Sequence, residues 1–249
     1  MELKNLERLP QDAQKVLPGY IEEFVASYGG DVISVFAYGS VTGPDYDPGM
    51  SDINVAVVVK EDTLEGLHPA LKAIKKGFRK KIPAPLVFTE SYLRMSLDTF
   101  PIEFSGMKDT KLVLHGADVL EAVEVDRRDL RRECEYQIKG KLLMLRQAFM
   151  ERGLERKGTE RMIKASLGAL IPVFRAALRV KTNEISPVGK QQVLEALGKE
   201  FGLDVSSFLE VLKDKKADGH IGGKKAEDFL NDFLAQLAKL SEAIDHLEI

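Results

Sequence analysis

Two short stretches carry residue types suited to phosphate and a cation. Gly39-Ser40 ends one apolar run, and Asp52-Ile53-Asn54 opens another after eleven intervening residues. Glycine lacks a Cβ, so phosphate oxygens can approach its backbone, where N–H groups and the Ser40 hydroxyl can donate to them. If the second run is a strand, residues 52 and 54 point to one face, because side chains alternate with period two. Glu103, in Phe-Pro-Ile-Glu-Phe, falls in a later run that also reads as a strand and can join them. Three oxygen-bearing side chains on one sheet face, completed by water and phosphates, suit one or two Mg2+ ions. Each residue alone also has an ordinary reading: a strand-ending turn, a loop cap, an edge-strand acid. Their order and strand context make them informative together.

The elements that must position these residues follow from pattern. Pro10 to Tyr28 is amphipathic and stops at Gly29-Gly30, as a helix with a C-terminal glycine does. Asp31 to Tyr38 is rich in β-branched and aromatic residues and reads as a strand. Gly39 to Ser51 carries three Gly, two Pro and two Asp, a loop by composition. Asp52 to Val59 is a second strand, apolar enough to be covered on both faces. Thr63 to Lys80 reads as a helix with basic residues near its end, Ala84 to Thr89 as a strand and Glu90 to Asp98 as a short helix. Phe100 to Met107 reads as a strand and Lys111 to Leu114 as a last short one.

Beyond about residue 120 the strand signals vanish. Leu130, Cys134, Ile138, Leu142, Leu145 and Phe149 recur at spacings of three and four, as do Ile163 to Leu178 and Leu230 to Leu247. Pro172 sits inside the second of these helices and is expected to kink it. Ser186-Pro187 reads as the N-cap and first turn of another helix, and Asp204 to Lys216 as a shorter one. The expected fold is α+β: a mixed sheet with flanking helices over residues 1–120, then an antiparallel helical bundle over 121–249.

The order strand, Gly-Ser, loop, acid-opened strand resembles the signature of the nucleotidyltransferase superfamily, which includes DNA polymerase β and the aminoglycoside nucleotidyltransferases. The resemblance in motif covers about residues 33 to 107, and the two-domain order extends it over most of the chain. It implies a Mg2+-bound nucleoside triphosphate in a cleft between sheet and bundle. A hydroxyl of an acceptor would attack the α-phosphorus and take the nucleoside monophosphate. Asp52 and Glu103 would hold metal and serve catalysis, and Gly39 and Ser40 would cradle phosphate.

The chain departs from that pattern at Asn54, where the family carries an acid. The amide oxygen can face a cation but brings no charge. A unit charge pair about 4 Å apart is worth about 4 kcal/mol at an effective dielectric of about 20, so the loss is large. Two outcomes stay open. The protein transfers nucleotide slowly with a weakened ligand set, or it is an inactive nucleotide-binding or protein-interaction module of the same fold.

Glu135 and Lys139 lie four apart in Arg131 to Lys141. By resemblance to the kanamycin nucleotidyltransferase type they would be a general base and a phosphate contact. The alternative is a surface i,i+4 ion pair. Lys108 is a further candidate phosphate contact. Gly219-His-Ile-Gly-Gly-Lys-Lys225 lacks the spacing, the preceding strand and the following Ser or Thr of a phosphate loop, and reads as a turn. The Arg–His spacing of the RNA-cleaving helical domains that accompany minimal nucleotidyltransferases is absent, which disfavours ribonuclease activity.

Composition narrows the partners. In 249 residues, 36 basic and 39 acidic side chains give a net charge of −3, no whole-chain field for duplex nucleic acid or an anionic membrane. The single cysteine, Cys134, makes no internal disulfide, and the four histidines have no partners at zinc spacing. No secretory signal or spanning segment is read, so a cytoplasmic location is expected. An exposed face on the long final helix would permit a homodimer. Base preference and acceptor are not fixed by any motif.

Overall fold

In the first helix, α1 (Gln11–Tyr28), Ala13, Leu17, Tyr20, Ile21, Phe24 and Tyr28 are buried at helical spacing. It ends where Gly29 turns to φ 79° and donates its N–H to the Val25 carbonyl at 2.9 Å. The computed structural model describes residues 2–152, 156–214, 221 and 226–249. The strands β1 (Val32–Tyr38), β2 (Asn54–Val59), β3 (Leu86–Thr89) and β4 (Leu112–Gly116) form one sheet in the order β3-β2-β1-β4. β1 runs antiparallel to both β2 and β4, and β3 runs parallel to β2. The sheet is therefore mixed. Val35, Ala37, Val55, Val57, Val59, Leu112 and Leu114 cover one face and pack with the buried residues of α1.

Between β2 and β3 lie α2 (Leu64–Leu67), a 3-10 turn at His68–Ala70 and α3 (Leu71–Phe78). The single helix expected over 63–80 is thus interrupted. Pro69 lacks an N–H for a continuous α-helical ladder. After β3 come α4 (Glu90–Met95) and α5 (Pro101–Thr110).

The helix α5 corrects the strand expected over Phe100–Met107. The apolar alternation there is only a few residues long. Pro101 removes a ladder donor and instead suits the first turn of a helix. The place beside β1 goes to β4. Phe104 packs edge-on against Phe88 of β3, with ring centroids 5.8 Å apart.

By packing the chain divides into two units. The first holds residues 1–99 and 104–124, and the second holds 100–103 and 125–249. The second unit contains α6 (Arg127–Arg152), α7 (Arg156–Thr182), α8 (Lys190–Phe201), α9 (Ser206–Lys213) and α10 (Ala226–Asp245). Arg127 at the start of α6 donates to the Val180 carbonyl near the end of α7 at 2.6 Å. Arg131 likewise reaches the Ile244 and Asp245 carbonyls at the end of α10. Both pairs therefore run antiparallel. Phe174 lies tilted against Phe208 with ring centroids 5.4 Å apart, and Phe208 meets Phe233 edge-on at 4.8 Å. Ser186 does not cap α8, whose N-cap is Gly189. Its hydroxyl instead accepts from Arg175 Nε at 3.2 Å.

Among the described residues no helix is long and apolar enough to cross a membrane. The Gly219–Lys225 stretch lies outside them except for Ile221.

Candidate functional site: the Gly39–Asn54 bend

β1 leads straight into the bend. Its last residue, Tyr38, pairs across the antiparallel ladder with Asn54, the first residue of β2. A Cβ on Gly39 would stand 3.4 Å from the Asn54 amide nitrogen, and Gly39 sits at φ +79°. That left-handed backbone disfavours any side chain and explains the glycine. Residues Gly39–Thr42 form a 3-10 turn. Gly39, expected at phosphate, and Asn54, expected at the cation, are therefore adjacent.

The Gly39 N–H is not available to a phosphate, because it donates to Thr110 Oγ1 at 3.0 Å. Thr110 in turn donates its hydroxyl to the Gly106 carbonyl at 2.8 Å. The Thr42 hydroxyl lies 2.8 Å from the Gly39 carbonyl and 2.6 Å from the Thr110 carbonyl, with one proton to share. Donation to a ligand would fall to the remaining groups of the turn, including the half-buried Ser40 hydroxyl.

Asp52 lies two residues before β2 and is exposed, while Ile53 is buried and Asn54 half-buried. That alternation keeps 52 and 54 off the core face. The Ile53 N–H donates to the Lys81 carbonyl at 2.8 Å. Lys81, a non-glycine residue at φ 57°, also turns its ammonium onto the Pro48 carbonyl at 2.8 Å and onto the Gly49 carbonyl. The loop is fastened further by Tyr46, whose hydroxyl donates to Asp12 at 2.5 Å. Burial, and then this bond, push the Tyr46 phenol up. The short turn is closed by the Gly49 N–H on Asp47 Oδ1 at 2.8 Å. Asp52 thus hangs on a braced loop.

Glu103 stands on α5 and not on a sheet strand, so strand alternation no longer places it beside Asp52 and Asn54. Its carboxyl is raised above the usual range, first by desolvation and then by the nearby Glu133 carboxylate, although the side chain keeps an exposed face. Glu135 has both oxygens engaged: Oε2 with Arg131 at 3.4 Å, and Oε1 with Lys139. Lys139 also reaches Asp245 at 3.7 Å, and its ammonium is raised chiefly by the bond to Glu135. The observed geometry is that of an ion-pair network between α6 and α10. Lys108 donates to the Val123 carbonyl at 2.6 Å and so holds the end of the first unit.

Sequence reasoning missed Thr110 and Lys81. Thr110 sits beyond the stretch read as a strand, and Lys81 sits in a basic run with no local sign of a left-handed backbone.

The donor set bears on a metal. Among the described residues no three His, Cys, Asp or Glu side chains converge to hold one. At the bend the oxygens are one carboxylate and one amide. That set is poor for a resident ion but fits Mg2+, which commonly binds through one or two protein oxygens together with phosphates and waters.

A solved structure of spectinomycin adenyltransferase AAD(9) from Enterococcus faecialis, with ATP and spectinomycin, is similar over 94% of this chain and 97% of that chain. The two share 13% identity with a TM-score of 0.49. No family model matches the chain, and no curated protein does.

Proposed function

We propose that the first unit binds a nucleoside triphosphate with Mg2+ at the Gly39–Ser40 bend and transfers its nucleoside monophosphate to a hydroxyl-bearing acceptor. The observation that carries this reading is the pairing of Tyr38 with Asn54, which sets the phosphate-type bend against the Asp52–Asn54 edge. The Asp52 carboxylate and the Asn54 amide oxygen would face the cation, and Ser40 would donate to phosphate. The cation, when bound, neutralises phosphate charge and stabilises departing pyrophosphate. In the transfer, the acceptor oxygen bonds to the α-phosphorus as the bond to the bridging oxygen of the β-phosphate breaks. The hydroxyl proton goes to a base. A second reading is favoured by Asn54 itself: the chain binds the nucleotide and transfers nothing.

The test pairs binding with turnover. Thermal unfolding is followed with Mg2+ and each of ATP, GTP, CTP and UTP, and pyrophosphate release is followed over a panel of hydroxyl-bearing acceptors. A ligand at about 100 times its dissociation constant stabilises by about 2.7 kcal/mol. Binding with pyrophosphate release supports transfer. Binding without release leaves the second reading, and no binding by any triphosphate sinks both.

A further inference from the structure

The outer face of residues 61–80 has a charge pattern and an apolar stripe that no part of the proposed chemistry uses. Leu64, Leu71 and Phe78 stand seven residues apart and are 84%, 52% and 59% exposed. The backbone stays right-handed helical at Leu67, His68, Ala70, Leu71 and Arg79 despite the 3-10 turn. At about 1.5 Å per α-helical residue and 2.0 Å per 3-10 residue, the stripe is roughly 20 Å long. Its three side chains fall within some tens of degrees of one another around the axis. The opposite side of the same run, Ala70, Ala73 and Gly77, is buried, and Gly77 lies close against the Tyr20 ring of α1.

The charges along the stripe are sorted by sign. Glu61, Asp62 and Glu65 gather at its first end, all exposed. From Leu71 to Lys81 there are six basic residues and no acid. Lys76 is paired with Glu23 at 2.7 Å, and Lys81 is bound to loop carbonyls. Lys72, Lys75, Arg79 and Lys80 have no side-chain hydrogen bond or ion pair among the described residues.

We infer that this face binds a second copy of the chain in an antiparallel, two-fold symmetric dimer centred on Leu71. A two-fold interface must be self-complementary, and this face is. With Leu71 on the axis, Leu64 meets Phe78 of the second copy, and the acidic end that carries Asp62 lies level with the basic end that carries its Arg79 and Lys80. Glu65 falls opposite the turn that carries its Lys75. Each copy supplies the acids for the other's cations, twice over. The same sorting argues against an anionic membrane or a nucleic acid as the occupant, because the acidic end would be repelled by either.

The full-length chain is tested by sedimentation over a range of concentrations. The wild type is expected to show a reversible dimer that weakens as salt screens the pairs. Leu71→Lys, at an exposed position, is expected to give a monomer that melts where dilute, monomeric wild type does. Asp62→Lys with Glu65→Lys weakens association by about tenfold or more, and adding Lys75→Glu and Lys80→Glu restores it, since complementary charges then face each other again. A wild type that stays monomeric up to about 1 mM overturns the inference. So does a dimer indifferent to Leu71→Lys, or one in which the second pair of reversals restores nothing. A monomer that binds phosphatidylserine vesicles or single-stranded RNA through these lysines overturns it as well.

Discussion

Thr110 Oγ1 accepts the backbone N–H of Gly39 at 3.0 Å, which joins the last residue of α5 to the bend that ends β1. A partly buried donor without a partner is costly, so the bend depends on this contact. Thr110→Val keeps the shape and removes the acceptor. It is expected to lower stability by about 1–2 kcal/mol in urea unfolding, with Thr110→Ser close to wild type. The Gly39 N–H becomes free in the valine variant, so an increase in triphosphate affinity there would show that the hydroxyl competes with phosphate.

Gly39→Ala addresses the same bend from the other side. A β-carbon would sit 3.4 Å from the Asn54 amide nitrogen on a backbone at φ +79°. The left-handed conformation costs a non-glycine residue about 1–2 kcal/mol. Loss of that much stability is expected, measured as a shift in the unfolding midpoint, together with weaker triphosphate binding in calorimetry.

Asn54→Asp adds the charge that the resemblance leads one to expect. Triphosphate binding should become more dependent on Mg2+, by about tenfold or more, since a cation–carboxylate pair near 4 Å is nominally worth several kcal/mol. Calorimetry with and without Mg2+ measures this. If wild-type turnover exists, pyrophosphate release should rise with the substitution. An unchanged Mg2+ dependence would remove Asn54 from the cation's surroundings.

Glu103 gives a pH prediction whose sign is fixed. Desolvation and Glu133 raise its carboxyl in the folded chain. The unfolded state therefore loses the proton first as pH rises, and the native state is penalised above the usual glutamate range. The penalty is absent in acid, where both states are protonated. Glu103→Gln is expected to be more stable than wild type at neutral pH, with the gain disappearing in acid, by urea unfolding at both.

The two central strands were legible because β-branched runs of six or seven residues leave few alternatives. The bend was legible because a loop rich in Gly, Pro and Asp follows the β-branched run, whereas the φ of +79° that requires Gly39 came only from the fold. The stretch from Phe100 to Met107 misled. Its apolar alternation competed with Pro101, and the proline won, because it cannot serve a ladder but opens a helix well. Lys108 read as a candidate phosphate contact, and Glu135 either as a base or as half of an i,i+4 ion pair with Lys139. Their partners, the Val123 carbonyl for one and Arg131 with Lys139 for the other, are those of structural contacts.

Local composition determined where the two central strands, the long bundle helices and the Gly39 turn fall, since propensity and periodicity act over a few residues. It could not decide the register that sets Tyr38 against Asn54, the threonine that occupies the Gly39 donor, or the lysine that braces the loop before Asp52. Those depend on which face of the sheet is buried and on which distant side chain arrives to satisfy each backbone group. Folding decides both through burial and hydrogen-bond satisfaction over the whole unit.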